Sequence, residues 1–257
     1  MYPEIQSFFE MTDDADLKAD LTGKDTLHSF SRAYRFNQWM FDQIFPWASG
    51  KILEAGSGIG NISRLFIERK FSITLSDIMS DYILRLRRSF GNDPHVDGIV
   101  QLDLSSPDIS AEYPELAGQF DTVVALNVIE HISDDALAIR NCRKVLRNQG
   151  RMIILVPAFQ FLFNSLDTDL QHYRRYTKKT ITKLMEENGF KVIHKSYFNF
   201  MGMVGWYISG VLMKNKKIPR SQLRIFEKLV PLFRLIDFVI FRSAGVSVIA
   251  VAEKVEN

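Results

Sequence analysis

Lys51-Ile-Leu-Glu-Ala-Gly-Ser-Gly-Ile-Gly-Asn61 is the stretch on which the fold of this chain turns. A short apolar strand ends in an acid, Glu54. Three glycines follow at Gly56, Gly58 and Gly60, and a helical pattern starts near Asn61. A strand–glycine loop–helix unit presents backbone N–H groups and a helix N-terminus to a ligand. Glycine lets the backbone approach with no Cβ in the way. The spacing is G-x-G-x-G, and Asn61 stands where a dinucleotide fingerprint has its third glycine. An acid directly before the loop fits poorly beside a pyrophosphate. It fits a ligand that carries a positive charge there.

Four further strands read outward from this loop. Phe71–Asp77 ends in an acid, and Ile99–Leu104 carries Asp103 near its end. Phe120–Asn127 runs into Val-Ile-Glu130-His131, and Gly150–Pro157 follows. These five landmarks, in this order, resemble the class I S-adenosylmethionine-dependent methyltransferases. The resemblance covers roughly residues 30–198 plus the last strand. It implies an α/β fold with a Rossmann-like sheet, mostly parallel. The last strand, Gly245–Ala252, is then antiparallel and inserted beside the sixth, Lys191–Phe198. It also implies S-adenosylmethionine as cofactor and S-adenosylhomocysteine as product. Carried over to matching positions, Glu54, Gly56, Ser57, Gly58 and Asn127 surround the methionine part. Asp77 binds the ribose, Ile78 and Met79 cover the adenine, and Asp103 with the Leu104 backbone meets its polar edge. The plainer alternative for Asp77 and Asp103 is a helix cap or turn aspartate.

A length of 257 residues suits one α/β domain with embellishments. The 46% hydrophobic and 24% charged fractions are ordinary for a globular chain. A single cysteine, Cys142, rules out an intrachain disulfide and fits a reducing compartment. The first twenty residues are acidic and polar, so no secretory signal is expected. The expected location is cytoplasmic, with the inner face of the membrane as a peripheral site. Net charge is +2 but unevenly spread: about −8 up to residue 173 and +10 from Arg174 onward. A basic C-terminal third suits an anionic substrate or surface, or simply a solvated face.

One methyltransferase domain is expected over 1–257. It comprises a helical cap (1–48), a cofactor core (49–198), a helical insert (199–243) and a last strand (244–257). The cap rests on apolar residues recurring every three to four positions over 26–48. Helices are expected at about 62–70, 79–90, 133–147 and 177–188, alternating with strands. The insert is far longer than usual connections. It begins with an uncharged run, Tyr197–Met213, too short for a membrane span. Overall, 199–243 carries eight Lys and Arg against two acids, and Pro231 is expected to divide its last helix. It reads as a lid, a membrane-interface element or a dimer contact.

Two segments hold candidates for chemistry. His131 follows the fourth strand, where open α/β sheets bind ligands. Asp167, His172, Tyr173, Arg174 and Arg175 lie after the fifth. His172-Tyr-Arg-Arg-Tyr176 resembles a motif of a bacterial methyltransferase subgroup associated with saccharide and polyketide pathways. Asp167 and His172 could form an oriented acid–base pair. The two arginines could grip a carboxylate or phosphate. No compact carboxylate/His cluster is apparent, so no metal site is expected. The function expected is methyl transfer to a hydroxyl of a small molecule or saccharide conjugate, the acceptor being anionic or lipid-linked. The alternatives are a nucleotide-sugar or NAD oxidoreductase, which Asn61 disfavours, and a cofactor-bound noncatalytic protein. No nucleic-acid partner is expected, as no Asn/Asp-Pro-Pro-aromatic motif of base methylation occurs.

Overall fold

The computed structural model describes residues 33–212 and 220–255. Part of the cap, and Lys214, Lys216 and Lys217 of the insert, lie outside the described residues. Seven strands form one sheet: β1 (Ile52–Ala55), β2 (Ile73–Asp77), β3 (Val96–Gln101), β4 (Phe120–Leu126), β5 (Leu146–Pro157), β6 (Phe190–Phe198) and β7 (Ser247–Lys254). Their order is β3-β2-β1-β4-β5-β7-β6. The first five strands pair in parallel, and β7 is antiparallel to both neighbours, as the resemblance implies.

A parallel sheet with helices on both faces buries both sides of its strands. β1 and β2 are accordingly buried at every position. The period of two divides their side chains between two cores. Leu53, Val123, Ala125 and Ile154 face one, and Ile52, Val124, Ile153 and Leu155 the other. The first core is closed by α5 (Asp135–Val145) and α7 (Lys178–Glu187). Helix α1 (Tyr34–Ile44), α2 (Asn61–Glu68) and α3 (Ser80–Phe90) close the second. Phe41 of α1 stacks edge-on against Phe66 of α2, which explains the aromatic run read before the first strand.

The order reverses between β1 and β4, one leading outward to β2 and the other to β5. Loops leaving these two strands diverge and open a crevice at their C-terminal ends. The glycine loop and the Glu130-His131 turn both leave from that point.

Three short helices, α4 (Ile109–Glu112), α6 (Ser165–Asp169) and α8 (Phe200–Trp206), complete the set with α9 (Arg220–Val239). A π-turn, Tyr207–Leu212, extends α8. The division expected at Pro231 does not occur: α9 runs through it. Pro231 is exposed while Val230 and Phe233 beside it are buried. Packing of that apolar face onto α1 and α8 supplies what the lost backbone bond costs.

Candidate active site

The glycine loop is held from below. Gly58 N–H donates to Asp77 Oδ2 at 2.9 Å, and Met79 N–H donates to Oδ1 at 2.9 Å. Ser57 N–H donates to the Ser76 carbonyl at 2.7 Å. Asp77 thus ties the loop to β2, and burial raises its pKa against the pull of those amides. Gly56 and Gly60 have φ of 74° and 83°. A Cβ on Gly56 would lie 2.3 Å from Val128, and one on Gly60 2.3 Å from Phe90. Neighbouring side chains as well as backbone conformation therefore demand glycine there, a reason the spacing alone does not contain.

Glu54 sits beneath this loop, 4% exposed, accepting from the Ser63 hydroxyl. Burial pushes its pKa to about 7, with the Ser63 and Ser57 hydroxyls opposing. A nearby ammonium would relieve a carboxylate so placed. Beyond Asp77, Ile78 and Met79 leave large apolar side chains 54% and 38% exposed. They offer an apolar surface that a planar base would cover. Asp103 lies just past the end of β3, and its Oδ1 accepts from Ser105 N–H and Oγ at 2.7 and 2.6 Å. The turn role is therefore present there, whatever else the carboxylate does. Leu104 is buried, and its carbonyl accepts from Asn141. Asn127 is exposed at the end of β4 with φ of 53°. The buried acid, the amide-bearing loop and the exposed apolar pair are a donor set that fits S-adenosylmethionine.

Across the crevice, His131 and His172 meet edge to face with ring centroids 4.6 Å apart. Tyr173 N–H donates to the Glu130 carbonyl at 2.8 Å and fastens the two loops together. His172 Nδ1 lies 2.8 Å from Asp167 Oδ1. The expected Asp–His pair is therefore made. His131 keeps exposed surface on the crevice, yet enough protein surrounds it to lower its pKa to about 4. Burial is the larger cause and the adjacent His172 the next, so the ring is neutral at pH 7.

The expected arginine clamp is not available as expected. Arg175 is buried and donates through Nε and Nη2 to the two Asp167 oxygens at 2.8 and 3.0 Å. Its Nη1 donates to the Ala158 carbonyl, and its guanidinium lies over the Trp206 ring. Asp167 is fully buried too, so neither residue of this pair reaches an acceptor. Arg174 pairs with Asp135 at 2.7 Å and donates to the Ser133 carbonyl. Asp135, which no motif announced, and Asp167, read from the sequence as the partner of His172, thus take both arginines. Tyr173 remains 58% exposed at the crevice.

The expectation that no compact carboxylate/His cluster exists also fails. Glu130, His131 and His172 each place a potential ligand atom within 4.8 Å of the others. Glu130 is fully buried, and neither carboxylate oxygen has a hydrogen-bond partner. Burial raises its pKa to about 8, against its own backbone N–H and the attraction of Arg175. Sequence distance hid this trio, since His172 lies far along the chain from the Glu-His turn.

A family model described as a methyltransferase domain matches residues 32–195. A "probable S-adenosylmethionine-dependent methyltransferase" of Mycobacterium tuberculosis is 27% identical over 176 residues, 66% of this chain and 61% of that protein. A ubiquinone biosynthesis O-methyltransferase of Xanthomonas euvesicatoria is 26% identical over 51% of this chain and 58% of its own length. The chain thus spans under two thirds of the curated relatives it matches. Among solved structures, a SAM-dependent methyltransferase from Archaeoglobus fulgidus aligns with TM-score 0.53 at 15% identity, covering 85% of this chain and 94% of the other. Haemonchus contortus phosphoethanolamine N-methyltransferase 2, in complex with S-adenosyl-L-methionine, aligns with TM-score 0.54 at 17% identity, covering 81% and 49%. These likenesses concern the fold.

Proposed function

Because the chain belongs to the methyltransferase domain family, with S-adenosylmethionine as its cofactor, we propose that it transfers the cofactor's methyl group to a hydroxyl of a small molecule or saccharide conjugate. The observation that carries the hydroxyl assignment is the His131–His172 pair, with His172 oriented by Asp167, facing the crevice at the sheet's switch point. The cofactor supplies the electrophile, so the protein's part is to position the acceptor and deal with its proton. The acceptor oxygen forms the new C–O bond, the C–S bond breaks, and its electron pair stays on sulfur. An imidazole held by a carboxylate on one ring nitrogen is suited to receive the hydroxyl proton on the other. Incubation with methyl-labelled cofactor and a panel of hydroxylated, aminated and carbon acceptors tests this. Label appearing only on amines or carbon would reject the hydroxyl assignment.

Glu54 gives the cofactor step a pH signature. Its folded pKa of about 7 lies above the ordinary 4.5, so the empty site holds a proton on this group below pH 7. An ammonium in the loop favours the ionised form, and binding at lower pH must expel that proton. Cofactor affinity should therefore fall about tenfold per pH unit below 7. Without ligand, the sign for stability is opposite. This group's contribution declines as pH rises from 4.5 through 7, because ionisation is then resisted by burial. Calorimetry at pH 8 and 6 checks the first point. The dependence should vanish in Glu54→Gln.

We further infer that the acceptor is met at an anionic membrane surface. No described helix is long and apolar enough to cross a membrane. Helix α9, however, presents Ile225, Leu229, Leu232, Leu235, Phe238 and Val239 outward, each at least 40% exposed. Arg224 and Lys228 are exposed on the same helix. An apolar stripe flanked by cations suits insertion at an anionic leaflet, where each basic residue adds about 1 kcal/mol. Flotation with phosphatidylglycerol vesicles should carry the protein upward at low salt and release it at high salt. Reversal of Arg224 and Lys228 to Glu, or Phe238→Asp, should abolish flotation. Failure to float at low salt, or a dimer that covers this face, would overturn the membrane reading.

A further inference from the structure

We propose that Glu130, His131 and His172 bind a divalent transition-metal ion, of the zinc, manganese or iron(II) type, at the acceptor side of the crevice. The proposal rests on the hydroxyl-methylation reading and deepens it. Three independent features converge on these residues.

The first is the unpartnered carboxylate. Both Glu130 oxygens are buried without a hydrogen bond in the structure, while the residue itself is fully inaccessible. An unsatisfied buried carboxylate is costly and asks for an explanation. Its cationic neighbour Arg175 is already spent on both oxygens of Asp167, which leaves only the residue's own N–H to favour the carboxylate.

The second is the state of the two imidazoles. His172 Nδ1 is engaged by Asp167, and the His131 ring packs edge to face against His172. The His172 ring thus has one nitrogen held by a carboxylate and the other left to coordinate. Metal-ligating histidines are held in this way: the outer oxygen selects the tautomer and aims the ring. Asp167 is itself locked by the Arg175 pair, so the orienting shell is rigid.

The third is the donor set. Two imidazoles and one carboxylate suit a borderline first-row ion better than calcium or magnesium, which favour oxygen alone. Three protein ligands leave positions open for a water or an acceptor oxygen. The donors lie within 4.8 Å of one another. Bonds of about 2.0–2.2 Å require them to draw closer. His131 is an exposed residue, which supplies an entry path. An ion there would bind the acceptor hydroxyl and lower its pKa. The proton then passes to water instead of imidazole, and the oxygen attacks the methyl carbon as before.

The test uses the full chain, stripped with chelator and dialysed against Zn²⁺ or Mn²⁺ alone. Bound metal is measured by elemental analysis, and thermal stability by melting. About one equivalent per chain with a raised melting temperature is expected. Glu130→Gln and His172→Ala, shown folded by circular dichroism, should each lower retention at least tenfold. Substoichiometric metal in the unaltered protein, or full retention by both variants, would overturn the site. Labelled methyl transfer separates this failure from failure of the function. Undiminished transfer by the stripped protein sinks the metal proposal and leaves hydroxyl methylation standing. Stoichiometric, variant-sensitive metal without transfer to any hydroxyl acceptor supports the site and sinks the acceptor assignment.

Discussion

Replacing His172 with alanine should slow methyl transfer about 10²–10⁴-fold at saturating cofactor, the range for losing a positioned proton-transfer group. The ring is the meeting point of both halves of the acceptor side: Asp167 holds one edge, and His131 packs against it at 4.6 Å. Its removal takes away the base or the metal ligand, so the acceptor proton is left unaided by either route. Cofactor affinity should be unchanged, because Gly58, Asp77 and Glu54 lie on the loop and strand across the crevice. His131→Ala should follow the same pattern. The measurement is single-turnover transfer from labelled cofactor to an identified acceptor, with calorimetry for cofactor binding. If both variants keep transfer within a few-fold of the unaltered rate, positioning alone drives the reaction and the role given to these imidazoles is wrong.

Breaking the Asp167–Arg175 pair from one side should cost about 3–5 kcal/mol of stability. Both side chains are essentially inaccessible, and the bond between them is bidentate. Asp167→Ala leaves a guanidinium buried between the Ala158 carbonyl and the Trp206 ring without its bidentate partner, with Glu130 the remaining acid near it. At roughly 2–4 °C per kcal/mol for a chain of this size, the melting temperature should drop by about 6–20 °C. The pair as such is worth less than its disruption suggests, because removing two charges from water is expensive. The double variant Asp167→Leu with Arg175→Met should therefore recover most of the loss, while leaving His172 without its orienting carboxylate. Stability near the unaltered value with impaired transfer would separate the pair's two duties. Equal destabilisation of the single and double variants would refute the uncompensated-charge explanation.

The strands and loops expected to carry the cofactor were largely legible in the sequence. The residues lie in consecutive loops at strand ends, so local chain order carries them: Glu54 through Gly60 in one turn, Asp77 through Met79 in the next. Strand periodicity places each loop on the same edge, and the glycine pattern identifies the turn. The family match over residues 32–195 covers this whole region. Even here the reason for two glycines differed. Val128 and Phe90, far along the chain, fill the space a Cβ would need.

Beyond the Asp167–His172 pair, tertiary structure decided the acceptor side. Residue types there were readable, but charge partners depend on which loops meet. Arg174 and Arg175 looked like ligand grips until Asp135 and Asp167 proved to be their partners. His172 lies far in sequence from the Glu130-His131 pair, yet the hydrogen bond from Tyr173 N–H to the Glu130 carbonyl brings the loops together. The continuous helix through Pro231 belongs to the same class, since burial of Val230 and Phe233 outweighs a local propensity. Local pattern determined this protein's strands and its switch-point loop, and the family resemblance they carry implied its cofactor. Coulomb and burial terms act through space between residues remote in the chain, so only the folded arrangement could assign its arginines, its histidines and its unpaired acid.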